Sequence, residues 1–506
     1  MIHDASTLPL SGRLKADLCV VGSGPGGAPV ATLAAEAGMS VVVLEAGAFI
    51  RPGQSSQREE EMLPRLMWYG GNQTSTDRRL RILQGHGLGG SSLHNINLCK
   101  RVPDSILKHW QQQRGMQHLP PQAWHALYQE VEALLEVSAV PEAAWNAHNR
   151  MLARGSAALG WKHEGLSHNR TGCVGSGFCE LGCSYDAKNN ALKVFVPRMV
   201  AAGATVLVQA QATRVLHEGG RVRGVEALAL DPLTRQPLGR IEIEAPRVCL
   251  AASATGTPAL LLRSKVPDPS GQTGRSLRIH PSVIVAGDFE ERIEAWKGIP
   301  QTVECTEHLD LREGAADRTW IVPVFGHPVG VATLIPGHGE AHQALMERLP
   351  HLGALTAMLH EESAGRVKPS GELGWSIRYT LTPQDQAELA RGLERCARLL
   401  LAAGARRVLV PGDRALSLEA GQDPAVLAER PVRVEEVDVS AVHPMASVPM
   451  GDDPATAAVG SDGRHHHLAG LWLSDGSILP GSIGVPPQLS IYALGMHVGR
   501  RLLDGT

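Results

Sequence analysis

The chain contains few cysteines, few aromatic residues and no long apolar run. Eight cysteines in 506 residues are too sparse for a disulfide framework, so we expect a reducing, cytoplasmic compartment. No apolar stretch reaches the roughly 18 residues that a membrane helix needs, and the N-terminal residues lack the basic-then-apolar pattern of a secretory signal. Aromatic residues make up 4% of the chain, which does not suggest a sugar pocket built on stacked rings.

An excess of one charge is also missing. Lys and Arg number 48 against 51 Asp and Glu, which gives a formal net charge of -3. This balance argues against nucleic acid and anionic membranes as partners, so we expect a small-molecule substrate. Hydrophobic residues make up 43% of the chain, enough at this length to form several buried cores.

The first segments alternate between strand-like and helix-like patterns. The sequence predicts a buried strand at 17–21, an Ala-rich helix at 25–38 and a second strand at 40–45. This order is the β-α-β opening of a parallel sheet.

The turn between the first strand and the helix has the spacing G-x-G-x-x-G. Gly22 permits the tight turn, Gly24 lets the backbone approach a pyrophosphate, and Gly27 lets helix and strand pack closely. The helix N-terminus offers free N–H groups to phosphates. Glu45, which ends the second strand, is placed to hold a ribose hydroxyl. These features predict a dinucleotide site, but the motif alone does not distinguish FAD from NAD.

The rest of the chain indicates an α+β middle between α/β ends. The pair Gly219-Gly220 predicts a hairpin turn, and a helix is expected to start at Pro258. Residues 282–336 are rich in β-branched residues and predict sheet. A Thr382 cap followed by proline predicts a helix that runs to Gly404.

Five segments resemble one known family. GHGLGGSSLHN at 85–95 and AASATGTP at 251–258 resemble the two signatures of the glucose–methanol–choline (GMC) oxidoreductases. GRSLRIHP at 274–281 resembles that family's G-R-x-L-x-x-H-P turn, and HPMASVPMG at 443–451 and the block at 473–491 resemble its C-terminal region. The resemblance covers nearly the whole chain in the family's order.

The resemblance implies a fold class of α/β plus α+β. An FAD-binding, Rossmann-like domain would be assembled from the discontinuous segments 14–105, 185–281 and 440–506. A substrate domain at 106–184 and 282–439 would carry a large, mostly antiparallel sheet backed by helices. The family also implies oxidation of the CH–OH group of a small or medium alcohol, with hydride passing to FAD and then to oxygen or another acceptor.

Cofactor contacts follow from the same resemblance. The glycine-rich loop would lie flat against the flavin, where side chains would clash. Near the C-terminus, the Ser-Asp-Gly-Ser segment and a helix that starts at Pro487 would border the flavin, with the helix N-terminus stabilising negative charge. The residues expected at the cofactor, besides Gly22, Gly24, Gly27 and Glu45, are Gly89, Gly90, Ser91, His94, Asn95, Asp475, Gly476, Pro487 and Gln488.

The general base is expected to be His443, which matches the family's catalytic histidine. Loss of the hydroxyl proton calls for a base with a pKa near working pH, and histidine suits that task. The family places a second His or Asn where this chain has Pro486, which has neither a polar side chain nor an N–H. Either His443 works alone, or another polar side chain fills in, or the chemistry diverges to desaturation or amine oxidation.

His94 has three interpretations at this stage. Some relatives join a histidine at this place covalently to the flavin. Here His94 could form that bond, substitute for the missing partner, or be a packed loop residue. Asn95 and Asn97 are further polar candidates nearby.

A cluster of three cysteines raises the alternative of a redox-sensing module. Cys173, Cys179 and Cys183 have the spacing C-x5-C-x3-C, but an iron–sulfur cluster normally uses four thiolates. Zinc would also need a fourth ligand, such as His168. Packing is the more common role of such a loop, so no metal is expected here, nor at His465–His467, where adjacent side chains point to opposite faces.

Overall fold

A six-stranded sheet, all of whose neighbouring pairs are parallel, forms the first layer of the computed structural model. The structure describes residues 1–7, 11–312, 314–412 and 416–505. In spatial order, the strands of this sheet are Ile2–Asp4, Thr205–Val208, Val41–Leu44, Leu18–Val21, Arg247–Leu250 and Leu471–Leu473. The two strands predicted around the glycine motif are therefore confirmed as central neighbours.

Helices close over this sheet because its strands are apolar on both faces. The helix Gly27–Glu36 packs against the C-terminal helix Gln488–Asp504. Their approach is close: a Cβ at Gly495 would lie 2.7 Å from the carbonyl oxygen of Gly26. All residues of Leu18–Val21 and Val41–Leu44 are buried, which explains why these strands are continuous apolar runs in the sequence.

A four-stranded sheet contains the predicted hairpin. Gly219 and Gly220 both have positive φ, at 57° and 73°, the backbone that a tight hairpin turn between twisted strands requires. The strands, in spatial order, are Ala210–Glu218, Arg221–Leu230, Pro237–Glu244 and Ser11–Lys15.

A nine-stranded sheet, antiparallel except for one pair, forms the second large layer. The helices Ala147–Leu159 and Pro383–Ala402 pack against it. This arrangement confirms the expected antiparallel sheet backed by helices. Its strands are Leu416–Glu419, Arg407–Val410, Ser282–Asp288, Leu352–Leu359, Thr319–Pro323, Val303–Cys305 and His163–Gly165, with Val439–Ala441 paired to Ser282–Asp288 and to Leu80–Ile82.

Smaller elements complete the fold. Two further sheets pair Arg366–Ser370 with Gly374–Arg378, and Ser167–Asn169 with both Leu98–Cys99 and Val137–Ala139. The other α-helices are Glu59–Leu66, Asp104–Arg114, Pro121–Leu134, Ala191–Val194, Val196–Ala201, Ser253–Arg263, Pro328–Ala332 and Gly339–Glu347. Single 3₁₀ turns occur at Ala5–Thr7, Pro52–Gln54, Trp68–Gly71, Gly90–Leu93, Glu142–Ala144, Cys179–Leu181, Leu349–His351, Pro424–Leu427 and Gly476–Ile478.

Helix starts show where local signals succeed and fail. The helix predicted from Thr382 is confirmed as Pro383–Ala402, and the Thr382 hydroxyl accepts the Asp385 N–H at 3.2 Å. The helix expected from Pro258 was placed wrongly, because it spans Ser253–Arg263 with the proline inside. A proline in the second turn lacks one donor, and the small residues before it leave room for its ring.

The predicted sheet at 282–336 is also only partly correct. Three strands occupy its first part, the last of them ending at Pro323. The helix Pro328–Ala332 follows, because proline at the first helical position has its φ already set for a helix.

The limits of the two domains stay a prediction. Two strands of the nine-stranded sheet, Leu80–Ile82 and Val439–Ala441, lie within or at the edge of the segments assigned to the FAD domain. Within the described residues, no helix is long and apolar enough to cross a membrane.

Candidate active site

The glycine motif forms a turn in which backbone atoms touch backbone atoms. Gly22 has a φ of +100°, and a Cβ there would lie 2.2 Å from the Ala251 carbonyl oxygen. A Cβ at Gly27 would lie 2.0 Å from the Gly22 carbonyl oxygen. A side chain at Gly27 would push the helix off the strand that ends at Gly22, and a side chain at Gly22 would collide with the end of the neighbouring strand. The helix start at Gly26 carries no side-chain cap, which leaves N–H groups for a ligand.

Glu45 ties the two glycine loops together. Its Oε2 accepts the Ser23 hydroxyl at 2.6 Å, and its Oε1 accepts the Gly47 N–H at 2.9 Å and the Gly87 N–H at 3.2 Å. The carboxylate is buried and borders the main cavity. Besides the predicted ribose contact, Glu45 therefore holds the loop geometry, a role the sequence did not reveal.

The second glycine loop lies directly on the first. Gly89 and Gly90 have φ values of +116° and +59°, and a Cβ at Gly90 would lie 2.7 Å from the Gly24 Cα. Ser91 borders the cavity, and its hydroxyl accepts the Gly85 N–H at 3.0 Å. The two loops thus form one wall of the cavity, with almost no side chains between them.

His94 sits at the end of this loop beneath a buried lysine. Its Nε2 is buried and has no hydrogen-bond partner among the residues that the structure describes. Burial, with smaller contributions from Lys188 and His86, lowers the pKa of His94 to about 3, so the ring is neutral. The Lys188 ammonium donates to the carbonyls of Leu93 at 3.0 Å and of Asn95, which fixes the backbone on both sides of His94.

The C-terminal helix reaches the same wall. Asn95 Nδ2 donates to Gln488 Oε1 at 2.6 Å, and Gln488 Nε2 donates to the Leu98 carbonyl at 2.7 Å. Pro486 and Pro487 border the cavity beside Gln488. The sequence-predicted residues of the loop and of the helix are therefore brought together.

Asp475 connects the C-terminal block to the helix of the second signature. Its Oδ2 accepts the Ser253 N–H at 2.9 Å and the Thr257 hydroxyl at 2.6 Å, and its Oδ1 accepts the Ser477 N–H at 2.7 Å. Burial raises the pKa of Asp475 despite these donors. Asp475 and Gly476 both border the cavity.

His443 lies on the wall of this cavity, with a second histidine behind it. The Nδ1 atoms of His443 and His280 are 3.1 Å apart, and the rings meet at 90°. Burial, together with His280, holds the pKa of His443 well below its ordinary value. The sequence analysis did not single out His280, although it is the histidine of the G-R-x-L-x-x-H-P turn that carried part of the resemblance.

One cavity of about 810 Å³ is lined by both glycine loops, by the C-terminal segments and by strands of the nine-stranded sheet, and it includes Glu45, His94, His443, Asp475 and Gln488. Beyond His443, its lining is largely aliphatic, with residues such as Ile284, Val324, Leu352, Met358 and Leu409. The cavity thus has a glycine-rich, polar part and an apolar part, and the histidine lies on its wall.

The cysteine loop and His168, the conceivable fourth ligand of a zinc site, have different surroundings. Cys173 is exposed, and burial raises the pKa of Cys179 to about 11, which keeps it a thiol. His168 is buried in a strand, where its Nε2 contacts the Gln301 carbonyl at 2.9 Å. Among the described residues, no three His, Cys, Asp or Glu side chains are grouped to hold a metal ion.

Comparison with known proteins assigns the chain to a family. Two GMC oxidoreductase models match it, one over residues 63–282 and the other over residues 362–495. An uncharacterized GMC-type oxidoreductase of Mycobacterium tuberculosis is 32% identical over 96% of this chain and 75% of its own length. A long-chain-alcohol oxidase of Arabidopsis thaliana is 26% identical over 97% of this chain and 68% of its own length.

Solved structures show the same fold. A pyridoxine 4-oxidase from Mesorbium loti superposes with a TM-score of 0.71 at 18% identity, over 96% of this chain and 98% of that one. At this level of identity, the likeness concerns the fold alone.

FAD is the cofactor that the family implies, and the residues present fit it. Gly24 and Gly90 leave a cradle that side chains would fill, since a Cβ at either would approach the opposite loop. The buried, unpartnered Nε2 of His94 and the uncapped helix start border the same cavity. With family models covering more than half of the sequence, the chain belongs to the GMC oxidoreductase family and is an FAD-dependent oxidoreductase acting on CH–OH donors.

Proposed function

We propose that the protein oxidises the CH–OH group of a small or medium, predominantly apolar alcohol, with His443 as the general base. The observation that carries the proposal is the position of His443 on the wall of the cavity that the two glycine loops also border. Gly22, Gly24, Gly27 and Glu45 would hold the adenine half of FAD, and the residues from Gly89 to Asn95 and from Pro487 onwards its flavin half. Bound FAD would supply the hydride acceptor.

One nitrogen of His443 is available to the substrate. Its Nδ1 is engaged with His280, which leaves Nε2 for the hydroxyl. The lowered pKa keeps the imidazole neutral at pH 7, the protonation state that a base needs. A general base of this kind contributes roughly a factor of 10² to 10⁴ to the rate.

The apolar part of the cavity supports an apolar substrate. Aliphatic side chains of the nine-stranded sheet line it, and an alkyl chain there would be removed from water at a gain of about 0.8 kcal/mol per methylene. The similarity to a long-chain-alcohol oxidase points the same way.

Pro486 favours a second candidate, the oxidation of an amine or a desaturation. It borders the cavity where the family provides a second polar side chain, and it offers neither donor nor acceptor from its ring. The two candidates differ in their dependence on His443. Alcohol oxidation requires it, whereas an unchanged rate in a His443→Ala variant would favour the second candidate.

The proposal is tested by anaerobic titration of the yellow protein with 1-octanol, octylamine and octanoic acid. Loss of the visible flavin band with the alcohol alone supports alcohol oxidation. Loss with the amine alone would replace it with the second candidate, and the acid serves as a control for binding without a reactive CH–OH group.

A further inference from the structure

A chain of buried polar groups leads away from His443. His280 Nε2 lies 3.1 Å from the Ser482 hydroxyl, which lies 2.8 Å from Glu361 Oε2. His360 Nδ1 lies 2.9 Å from the same hydroxyl. Because His360 and Glu361 are neighbours, the five residues come from four separate parts of the sequence, and Glu361 is 3% exposed and Ser482 8% exposed.

The relay requires one arrangement of protons in this chain, with Glu361 ionised before transfer. Glu361 Oε1 accepts the backbone N–H groups of Ile279 and His280 and the Tyr379 hydroxyl, donors that favour the ionised form. A carboxylate has no proton to give, so the single proton of Ser482 points to Glu361. In the resting arrangement that the relay requires, His280 Nε2 is protonated, so Ser482 accepts from His280 and from His360, and each imidazole carries its proton on the nitrogen that faces Ser482.

The assignment at His280 determines the tautomer of His443. With its proton on Nε2, His280 has a lone pair on Nδ1, so His443 must donate to it from its own Nδ1. The remaining nitrogen of His443, Nε2, then carries a lone pair. This is the tautomer that can accept a hydroxyl proton.

We propose that His280, Ser482 and Glu361 form a proton relay that holds His443 in its basic tautomer and carries the substrate's hydroxyl proton to Glu361. The relay rests on the proposed function, because it begins with proton transfer to His443. His280 and Ser482 are positioning residues that act through His443, and Glu361 is the terminal proton acceptor.

Each step of the relay balances. The O–H bond of the alcohol breaks and an N–H bond forms at His443 Nε2, while His443 Nδ1 gives its proton to His280 Nδ1. His280 Nε2 gives its proton to the Ser482 oxygen, and Ser482 gives its own to Glu361 Oε2. One proton enters the chain and one proton ends on Glu361, with both imidazoles neutral before and after.

The structure also provides for the state after transfer. The Gly484 N–H lies 3.2 Å from His280 Nε2, a hydrogen bond that exists only when this nitrogen has lost its proton. Before transfer Nε2 donates to Ser482, and after transfer it accepts from Gly484. His280 is held between these partners with a φ of +51°, a conformation that costs a non-glycine residue free energy.

Burial explains why a relay is needed. It lowers the pKa of His280 to about 3 and of His360 to about 4, so an imidazolium inside the chain is disfavoured. The same burial raises the pKa of Glu361, which makes that carboxylate a better proton acceptor. Two other groups face this end of the chain: Arg278 donates to the Glu361 carbonyl at 3.5 Å and opposes the rise in the pKa of Glu361, and the Tyr379 hydroxyl donates to Glu361 Oε1 at 3.4 Å.

The experiment compares Glu361→Gln and Ser482→Ala holoenzymes with wild type in anaerobic stopped-flow reduction by 1-octanol and by 2,2-difluoro-1-octanol. We expect a loss of about 100-fold with octanol and a loss of less than about tenfold with the fluorinated alcohol, because its more acidic hydroxyl needs less help from a base. Ser363→Ala is the matched control, since that buried hydroxyl donates to Asp385 outside the relay, and it should reduce at the wild-type rate.

Two results would overturn the relay. Wild-type rates in both variants would show that the chain carries no proton, and an equal loss with both alcohols would show a structural role only. If octanol fails to reduce the wild-type enzyme itself, the proposed function fails instead.

A second measurement decides the tautomer without turnover or variants of the relay. The ¹⁵N NMR signals of His443, assigned by their absence in His443→Gln, should show a protonated Nδ1 and a bare Nε2 in the wild-type holoenzyme. A protonated Nε2 would refute the relay whatever the substrate.

Discussion

The contact between the two glycine loops gives the sharpest stability and cofactor-binding prediction. In Gly90→Ala, the new Cβ would lie 2.7 Å from the Gly24 Cα, which is backbone and cannot rotate away. The left-handed φ of +59° adds about 1 kcal/mol for alanine, and forcing the loops apart adds about 1–3 kcal/mol. We expect a total cost of about 2–4 kcal/mol, divided between folding and the cofactor cradle.

Gly219→Ala is the matched control for this variant. Its φ is +57°, and nothing lies within 4 Å of a Cβ at that position. It therefore carries the same backbone strain without the contact. We expect it to lower the free energy of unfolding by about 1 kcal/mol and to leave FAD affinity unchanged.

The assay measures FAD dissociation from the reconstituted apoproteins by flavin fluorescence, and unfolding by urea. Gly90→Ala should bind FAD about 10- to 100-fold more weakly than Gly219→Ala, which corresponds to about 1.4–2.8 kcal/mol. Equal FAD affinity in the two variants would refute the assignment of the loop contact to the cofactor site.

Three further predictions concern buried groups. Lys188→Met leaves three carbonyl acceptors without their donor and should lower the free energy of unfolding by about 2–4 kcal/mol. Lys193 is the control, because among the described residues its ammonium donates only to the carbonyl of the exposed Asp186, and Lys193→Met should change the free energy of unfolding by less than about 0.5 kcal/mol; equal effects would contradict this account. Burial lowers the pKa of His148 to about 4 and of His168 to about 3, so the unfolded chain binds more protons than the folded one below about pH 6.5. Urea unfolding should therefore show that the free energy of unfolding falls by about 1 kcal/mol per histidine between about pH 7 and 5.5. A free energy of unfolding that rises on acidification would contradict this prediction. If the neutral, unpartnered His94 is bonded to the flavin, acid precipitation should leave the yellow colour in the pellet, and His94→Ala should release it, while colour in the supernatant of the wild type would exclude the bond.

Local patterns predicted those elements whose signals lie close together in the sequence. The strands beside Gly22 are apolar on both faces, and the helix at Pro383–Ala402 has its cap and its proline side by side. The helix Ser253–Arg263 was misplaced because proline usually marks a helix start, and here neighbouring small residues let it lie inside.

The residues of the candidate site also fall into those that the sequence indicates and those that it does not. His443 and the loop around Gly90 stand in compact motifs, so the sequence indicates them. Lys188, His280 and Glu361 act through partners that are about 80 to 160 residues away, such as the contact between His280 and His443. The spacing of residues in a single sequence does not predict contacts over such distances. These contacts depend on how the nine-stranded sheet packs against the parallel sheet.

The most direct test of the central claim is anaerobic reduction of the wild-type holoenzyme and of His443→Gln by 1-octanol, followed at the visible flavin band. The account predicts loss of the band in the wild type and a rate lower by about 10² to 10⁴ in the variant, with FAD content unchanged. A wild type that stays oxidised, or a variant that is reduced as fast as the wild type, would contradict it.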